Sequence, residues 1–293
     1  LEENVKASEL LQAEPWLKVL VYGDSGTGKT SWAARSPMPI ILATERQAIP
    51  SIAVAAPDAE VFLINNYESM ERIMDALSKG ASVKLDNGQM AFRFCDRSGT
   101  EYTCQTIVID SLSDMHTRIA EHVKVDEVEK LVMKRWGEAQ KLLASLLQRL
   151  RSLPVNVVCI CLQSTLGGSE GEARRTIPDL YGKMAEKVGQ YFSAVGFAHK
   201  RSGAFQYGIA FNAGSGFVTK RPPTTTDFPD VVMQDLRTPG KTTLGSILLS
   251  INAGMAGIPS RDGDSGSLVS ESEAGEGKAI LPPAPKAKVK SKQ

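Results

Sequence analysis

Hydrophobic positions along the chain follow two alternating patterns. Short, nearly unbroken apolar runs recur at residues 17–22, 39–44, 106–109 and 155–162, with the length and composition of strands buried on both faces. Between them apolar residues return at helical spacing, at Met70, Ile73, Met74 and Leu77 and again at Leu142, Leu143, Leu146, Leu147 and Leu150. Those stripes read as packing faces, and the alternation of strand and helix predicts an α/β fold with a mainly parallel sheet covered on both sides. Residues 91–95 and 101–104 flank the turn Asp96-Arg97-Ser98-Gly99, which predicts a hairpin inserted ahead of the 106–109 strand. Three further strand candidates, 194–199, 205–211 and 216–219, are separated by glycine-containing turns, so the sheet is expected to end in antiparallel strands toward the C-terminus.

The pattern stops near Gly257, where Gly, Ser, Glu, Pro and Lys replace the large apolar residues. A segment of that kind buries too little surface to offset its ordering entropy. The expected organisation is a lead segment over 1–16, one domain over 17–250 and a disordered tail over 257–293.

The candidate chemistry begins where the first strand ends. Gly23-Asp24-Ser25-Gly26-Thr27-Gly28-Lys29-Thr30 matches the phosphate-loop pattern G-x-x-x-x-G-K-[ST] in its proper setting, directly after an apolar strand. The glycines let the backbone curl and aim successive N–H groups at phosphates. Lys29 is placed to reach the β- and γ-phosphates, Thr30 to put its hydroxyl on Mg²⁺, and the helix starting near Lys29 to add its partial positive charge. The expected cofactors are therefore ATP and Mg²⁺.

A carboxylate is needed for the metal shell, and Asp110, closing Ile107-Val108-Ile109, is the candidate, expected on a strand beside that of the phosphate loop. Its alternative is an ordinary helix cap. Glu45, after the 39–44 strand, is the candidate for orienting the attacking water; the alternative is a surface glutamate opening a helix. Gln163, at the end of the 155–162 run, is placed either to sense the γ-phosphate or to be a plain strand-end amide.

Composition changes this picture little. The 293 residues carry 42% hydrophobic and 23% charged side chains with a net charge of +1, so a polyanion site depends on local charge. Cys95, Cys104, Cys159 and Cys161 lack C-x-x-C spacing and read as reduced core or sheet residues. His116, His122 and His199 are scattered. No apolar run reaches the length of a membrane span and no signal peptide is apparent, so the expectation is a cytoplasmic protein without a membrane partner. No catalytic triad or dinucleotide fingerprint competes with the phosphate loop.

With the phosphate loop, Glu45, Ile109-Asp110-Ser111 and Gln163 in this order, the chain resembles the RecA-like P-loop ATPase core over roughly residues 15–230. Within it the chain looks most like phage nucleotide-binding proteins of the Sak type, short recombinases related to RadA. The resemblance implies an ATPase that assembles as a homo-oligomer, ring or filament, on single-stranded DNA, located in the host cytoplasm if phage-encoded, with a single-strand-binding protein as a further partner class. It implies a DNA-binding loop after Gln163, where Arg174 and Arg175 are the candidate phosphate contacts and Glu170 and Glu172 oppose them. An earlier DNA-contacting region falls within 115–136, where Lys124, Lys130, Lys134 and Arg135 mix with acidic residues as on a solvated helix face. Lys220 and Arg221 resemble basic residues that act on a neighbour's nucleotide; His199, Lys200 and Arg201 form a second basic cluster. The rival functions are an ATP-driven helicase or loader motor and a nucleotide-gated interaction protein that binds no DNA.

Overall fold

The structure, a computed structural model, describes residues 16–123, 130–167, 174–200, 206–212, 216–221 and 231–235, with backbone alone at 130–134, 206 and 231–235. All lie in the first of the chain's two units, Leu1–Ile258. The expected tail, the lead segment before Trp16, and Lys124, Glu170, Glu172 and Arg201 lie outside the described residues.

Among these residues the chain runs β1 (Lys18–Gly23), α1 (Lys29–Ala34), β2 (Pro39–Ala43), α2 (Ile49–Ala55), β3 (Glu60–Leu63), α3 (Tyr67–Ser78), β4 (Ala81–Lys84), β5 (Met90–Cys95), β6 (Glu101–Cys104) and β7 (Thr106–Asp110). It continues through α4 (Leu112–His122), α5 (Lys130–Ser152), β8 (Asn156–Cys161), β9 (Gln163–Leu166), β10 (Arg175–Pro178), α6 (Met184–Lys187), β11 (Ala194–Lys200), β12 (Gln206–Ala210) and β13 (Val231–Asp235). The main sheet has the order β3-β2-β7-β8-β1-β11-β12-β13. Its first six strands are parallel, and β12 and β13 are antiparallel additions at the end. This is an α/β sheet, mainly parallel, with antiparallel strands toward the C-terminal side.

Side chains alternate along a strand, so each central strand feeds two cores. Leu20 and Tyr22 of β1 join Ile40, Leu42, Ile107 and Ile109 on the face covered by α3, α4 and α5. Val19 and Val21 join Ile41, Val108 and Val158 on the other face, under Trp32 of α1 and Ile52 of α2. Each such fully buried aliphatic side chain contributes roughly 1.5–3 kcal/mol. The two cores hold the phosphate-loop strand from both sides.

Several expectations need correction. β8 lies between β1 and β7, so Asp110 is not on the strand beside the phosphate-loop strand; periodicity gives strands but not their lateral order. The 194–199 segment is β11 and runs parallel to β1, so the antiparallel strands begin only at β12. Residues 216–219 do not form a strand: Phe217 makes a lone bridge to Thr176 and Lys220 one to Val195. The inserted hairpin carries a third strand, β4, and forms a separate sheet, β4-β5-β6. Its Phe92 and Phe94 are buried, and β3 and β13 are short strands that the apolar pattern did not single out.

Candidate functional site

The parallel strands end along one edge of the sheet, where crevices outside the carboxyl ends of strands receive ligands. Gly23 ends β1 there, and the loop that follows turns through Gly26 and Gly28, both with positive φ, into α1. Gly23 has a second reason to lack a side chain. A Cβ there would sit 2.2 Å from the carbonyl oxygen of Ala198, because β11 passes directly alongside. Gly28, at φ 79°, caps α1 in the left-handed region that glycine adopts without strain.

Lys29 is buried, and its Nζ donates to the carbonyls of Gly23 at 2.9 Å and Asp24 at 2.6 Å and to Oγ1 of Thr27 at 3.3 Å. The loop's own oxygens thus hold the ammonium against the loop backbone. Burial pushes Lys29 below the ordinary lysine value, opposed chiefly by the Asp110 carboxylate.

Thr30, the next residue, donates its hydroxyl to Oδ2 of Asp110 at 2.7 Å. Asp110 is 6% exposed. Burial raises its pKa above the usual carboxylate range, Thr30 opposes the rise, Glu45 adds to it and Lys29 opposes it. The helix-cap alternative for Asp110 does not describe the structure: Ser111 is the N-cap of α4 and accepts from the N–H of Asp114, which leaves the Asp110 carboxylate to face Thr30. A hydroxyl and a carboxylate at this separation are the hard oxygen donors that Mg²⁺ takes while keeping several waters.

Glu45 follows β2, which pairs with β7 so that Ala43 sits opposite Asp110. Its Oε1 accepts from Ser111 Oγ at 3.1 Å and its Oε2 accepts from Gln47 Nε2. The backbone before it is pinned. Thr44 N donates to the Asp110 carbonyl at 2.7 Å, Ser111 N donates to Thr44 Oγ1 at 2.9 Å, and Arg118 of α4 donates to the Thr44 carbonyl at 2.7 Å while paired with Asp114 at 2.6 Å. Ser111, Gln47 and Arg118 were not singled out as candidates. Ser111 stands in the quoted Asp110-Ser111 pair, but Gln47 and Arg118 carry no local signal.

Lys29, Thr30, Glu45 and Asp110 converge on a cavity of about 440 Å³, which the rest of the loop from Ser25, together with Gln47, Ser111 and Leu162, also lines. That volume lies in the range of small-molecule sites. Gln163 is not among the lining residues. It is the first residue of β9, half-buried and paired with Pro178 of β10, one position beyond Leu162 at the cavity.

The remaining candidates lie elsewhere. Arg174 and Arg175 are exposed, at the start of β10 in the β9–β10 hairpin. Lys220 pairs with Val195, and its Nζ donates to the Phe192 carbonyl at 2.7 Å, near the start of β11 and so toward the sheet edge opposite the phosphate loop. Arg221 is exposed beside it. Arg135 of α5 donates to the Ala120 carbonyl, a packing contact between helices; the side chains of Lys130 and Lys134 are outside the description.

Cys104, Cys159 and Cys161 are buried free thiols and Cys95 an exposed one. Burial pushes Cys104 and Cys161 up to about 12 and raises Cys159 as well, which keeps them protonated. No helix among the described residues is long and apolar enough to cross a membrane.

A phosphate loop ending in a lysine, a threonine hydroxyl on a strand-end aspartate and a second carboxylate after a neighbouring strand, all at the carboxyl edge of a mainly parallel sheet, define a P-loop nucleotide site. The family comparison agrees: the AAA domain model matches residues 16–222, and the chain belongs to that family. Among solved structures, the chain is similar to the RadB recombinase at 13% identity, over 68% of this chain and 80% of that one, with a TM-score of 0.36. It is similar to the flagellar accessory protein FlaH from Methanocaldococcus jannaschii at 9% identity, over 80% and 94%, with a TM-score of 0.38. It is also similar to a third solved structure, an ATPase domain, at 10% identity, over 78% and 85%, with a TM-score of 0.38. The comparison with curated proteins gave no match.

Proposed function

We propose that the protein is a Mg²⁺-dependent ATPase that assembles on single-stranded DNA and promotes annealing or strand exchange, as a phage-type recombinase of the Sak kind. The observation that carries the ATPase part is the convergence of Lys29, Thr30, Asp110 and Glu45 on one cavity. Lys29 leaves the loop carbonyls for the β- and γ-phosphates, a move between acceptors of like geometry. Thr30 and Asp110 hold Mg²⁺, which neutralises phosphate charge when bound. Glu45, fixed by Ser111 and Gln47, orients water for in-line attack.

The DNA part rests on the exposed Arg174 and Arg175, on a hairpin that starts one residue beyond the cavity-lining Leu162. Phosphate occupancy at the cavity and strand binding at the hairpin are then linked through Leu162 and Gln163. Lys220 and Arg221, remote from their own cavity, act on the nucleotide of a neighbouring copy in the oligomer.

The test is anisotropy of a labelled single-stranded oligonucleotide with and without a non-hydrolysable ATP analogue and Mg²⁺, over a salt series. Tight, nucleotide-dependent and salt-sensitive binding that Lys29→Ala abolishes supports the proposal. Absence of binding in every nucleotide state removes DNA as the ligand and leaves a nucleotide-gated interaction protein.

A further inference from the structure

Tyr181 is 43% exposed, although its ring already has a partner. Its centroid lies 3.9 Å from that of Trp136, with the planes 36° apart, and His116 meets both rings edge-on, at 5.2 Å from Tyr181 and 6.3 Å from Trp136. The three residues come from α5, α4 and the loop after β10. None of them belongs to the nucleotide cavity.

The loop bearing Tyr181 is held in place at every step. Asp179 N donates to the Leu162 carbonyl at 2.7 Å, and Ser113 Oγ donates to the Asp179 carbonyl at 3.0 Å. Tyr181 N donates to Nδ1 of His116 at 3.3 Å. Gly182, at φ +60°, takes the left-handed conformation that side chains rarely adopt and lies against the Gln140 side chain of α5. An aromatic ring presented to solvent on a backbone this constrained loses little freedom when something stacks on it.

The cluster is built to be apolar. His116 is fully buried, its Nε2 has no hydrogen-bond partner among the described residues, and burial lowers its pKa to about 4, so the imidazole is neutral. Charges nearby are mixed: Lys183 and Lys187 are exposed, and so are Asp179 and Glu186. An anion would gain little there, whereas a flat, neutral ring would gain stacking area. The basic residues Arg174 and Arg175 stand at the other end of β10 from this loop, within the reach of one strand of nucleic acid.

We propose that Tyr181, backed by Trp136, is a stacking platform for an unpaired nucleobase of single-stranded DNA. The proposal rests on the DNA-binding reading above and adds a base-contacting site to its phosphate contacts. Stacking a base on an aromatic ring tolerates any sequence because every base has a π-face. The platform therefore adds affinity for unpaired strands without adding sequence preference, and it does not bind duplex, whose bases are already stacked.

The test compares the unmodified protein with Tyr181→Ala and Tyr181→Phe on labelled oligo-dT and on an abasic oligonucleotide of equal length, with nucleotide affinity as the control for folding. The expected result is a loss of roughly tenfold in oligo-dT affinity for Tyr181→Ala, no change on the abasic strand, an unchanged salt slope, and retention by Tyr181→Phe. Equal loss on both strands, or no loss on either, overturns the platform while leaving strand binding intact. A change in oligomer mass with base preference preserved also overturns it and makes this face a contact between copies. If the unmodified protein binds neither strand at low salt, the DNA-binding reading falls and takes the platform with it.

Discussion

Thr30 Oγ1 donates to Oδ2 of Asp110 at 2.7 Å, across an intervening strand, since β8 separates β1 from β7 in the sheet. The end of the phosphate loop therefore reaches the Asp110 carboxylate over the end of β8, not from a neighbouring strand. Two residues eighty positions apart are joined by sheet order and by the turn from the loop into α1.

Asp110→Ala and Thr30→Ala each remove one of these two oxygen donors. Calorimetric titration with ATP is expected to show that Mg²⁺ no longer strengthens binding in Asp110→Ala, with a loss of roughly tenfold or more, as for a charge-assisted contact. Thr30→Ala retains part of the Mg²⁺ effect. An unchanged Mg²⁺ dependence in Asp110→Ala would assign the metal to other residues.

The raised pKa of Asp110 has a defined consequence for stability without nucleotide. In the window between the ordinary carboxylate value and its raised value, the folded state holds more protons than the unfolded state, so stability falls as pH rises through that window. Asp110→Asn lacks this dependence. Thermal melts of both proteins, from about pH 4 to about pH 7, should show the native protein losing Tm relative to Asp110→Asn as pH rises; parallel curves would contradict it.

Glu45 is held at both oxygens, by Ser111 and by Gln47. If it positions water, Glu45→Gln binds ATP with near-native affinity while the turnover rate drops by about 10²–10⁴. Ser111→Ala, which loosens one oxygen, reduces kcat by less and leaves KM near native. A steady-state phosphate-release assay distinguishes these outcomes from a glutamate of no consequence, for which kcat would not move.

Tyr22 ends the buried run before Gly23, and its hydroxyl accepts from Val218 N at 2.8 Å and lies 2.8 Å and 3.1 Å from the carbonyls of Val218 and Thr176. Burial pushes this phenol up to about 12, so it stays protonated and able to donate. Tyr22→Phe leaves the Val218 N–H without its partner and is expected to lower stability by about 1–3 kcal/mol in urea denaturation. The β9–β10 hairpin loses an anchor, visible as faster hydrogen exchange at Thr176 and Val218.

The phosphate loop, its buried strand, the Asp110 strand end and Glu45 were legible in the chain because each is local. A run of apolar residues ending in glycines or a carboxylate states both the strand and the residues at its tip. The helical stripes at Met70–Leu77 and Leu142–Leu150 were legible for the same reason, and both are buried in the core that backs the sheet. Strand order, the parallel direction of β11, the separate β4-β5-β6 sheet and the bridging role of 216–220 were not, since they depend on pairing between distant segments, which leaves no periodic trace. Gln47, Ser111 and Arg118 acquire their roles only because β2 lies against β7 and brings residues near 45 beside those near 111. The sequence by itself determined that a nucleotide's phosphates have a cradle in this protein. Tertiary structure alone decided which side chains face that cradle and that Trp136, Tyr181 and His116 meet, because hydrogen-bonded register and close packing act at distances along the chain that no local pattern spans.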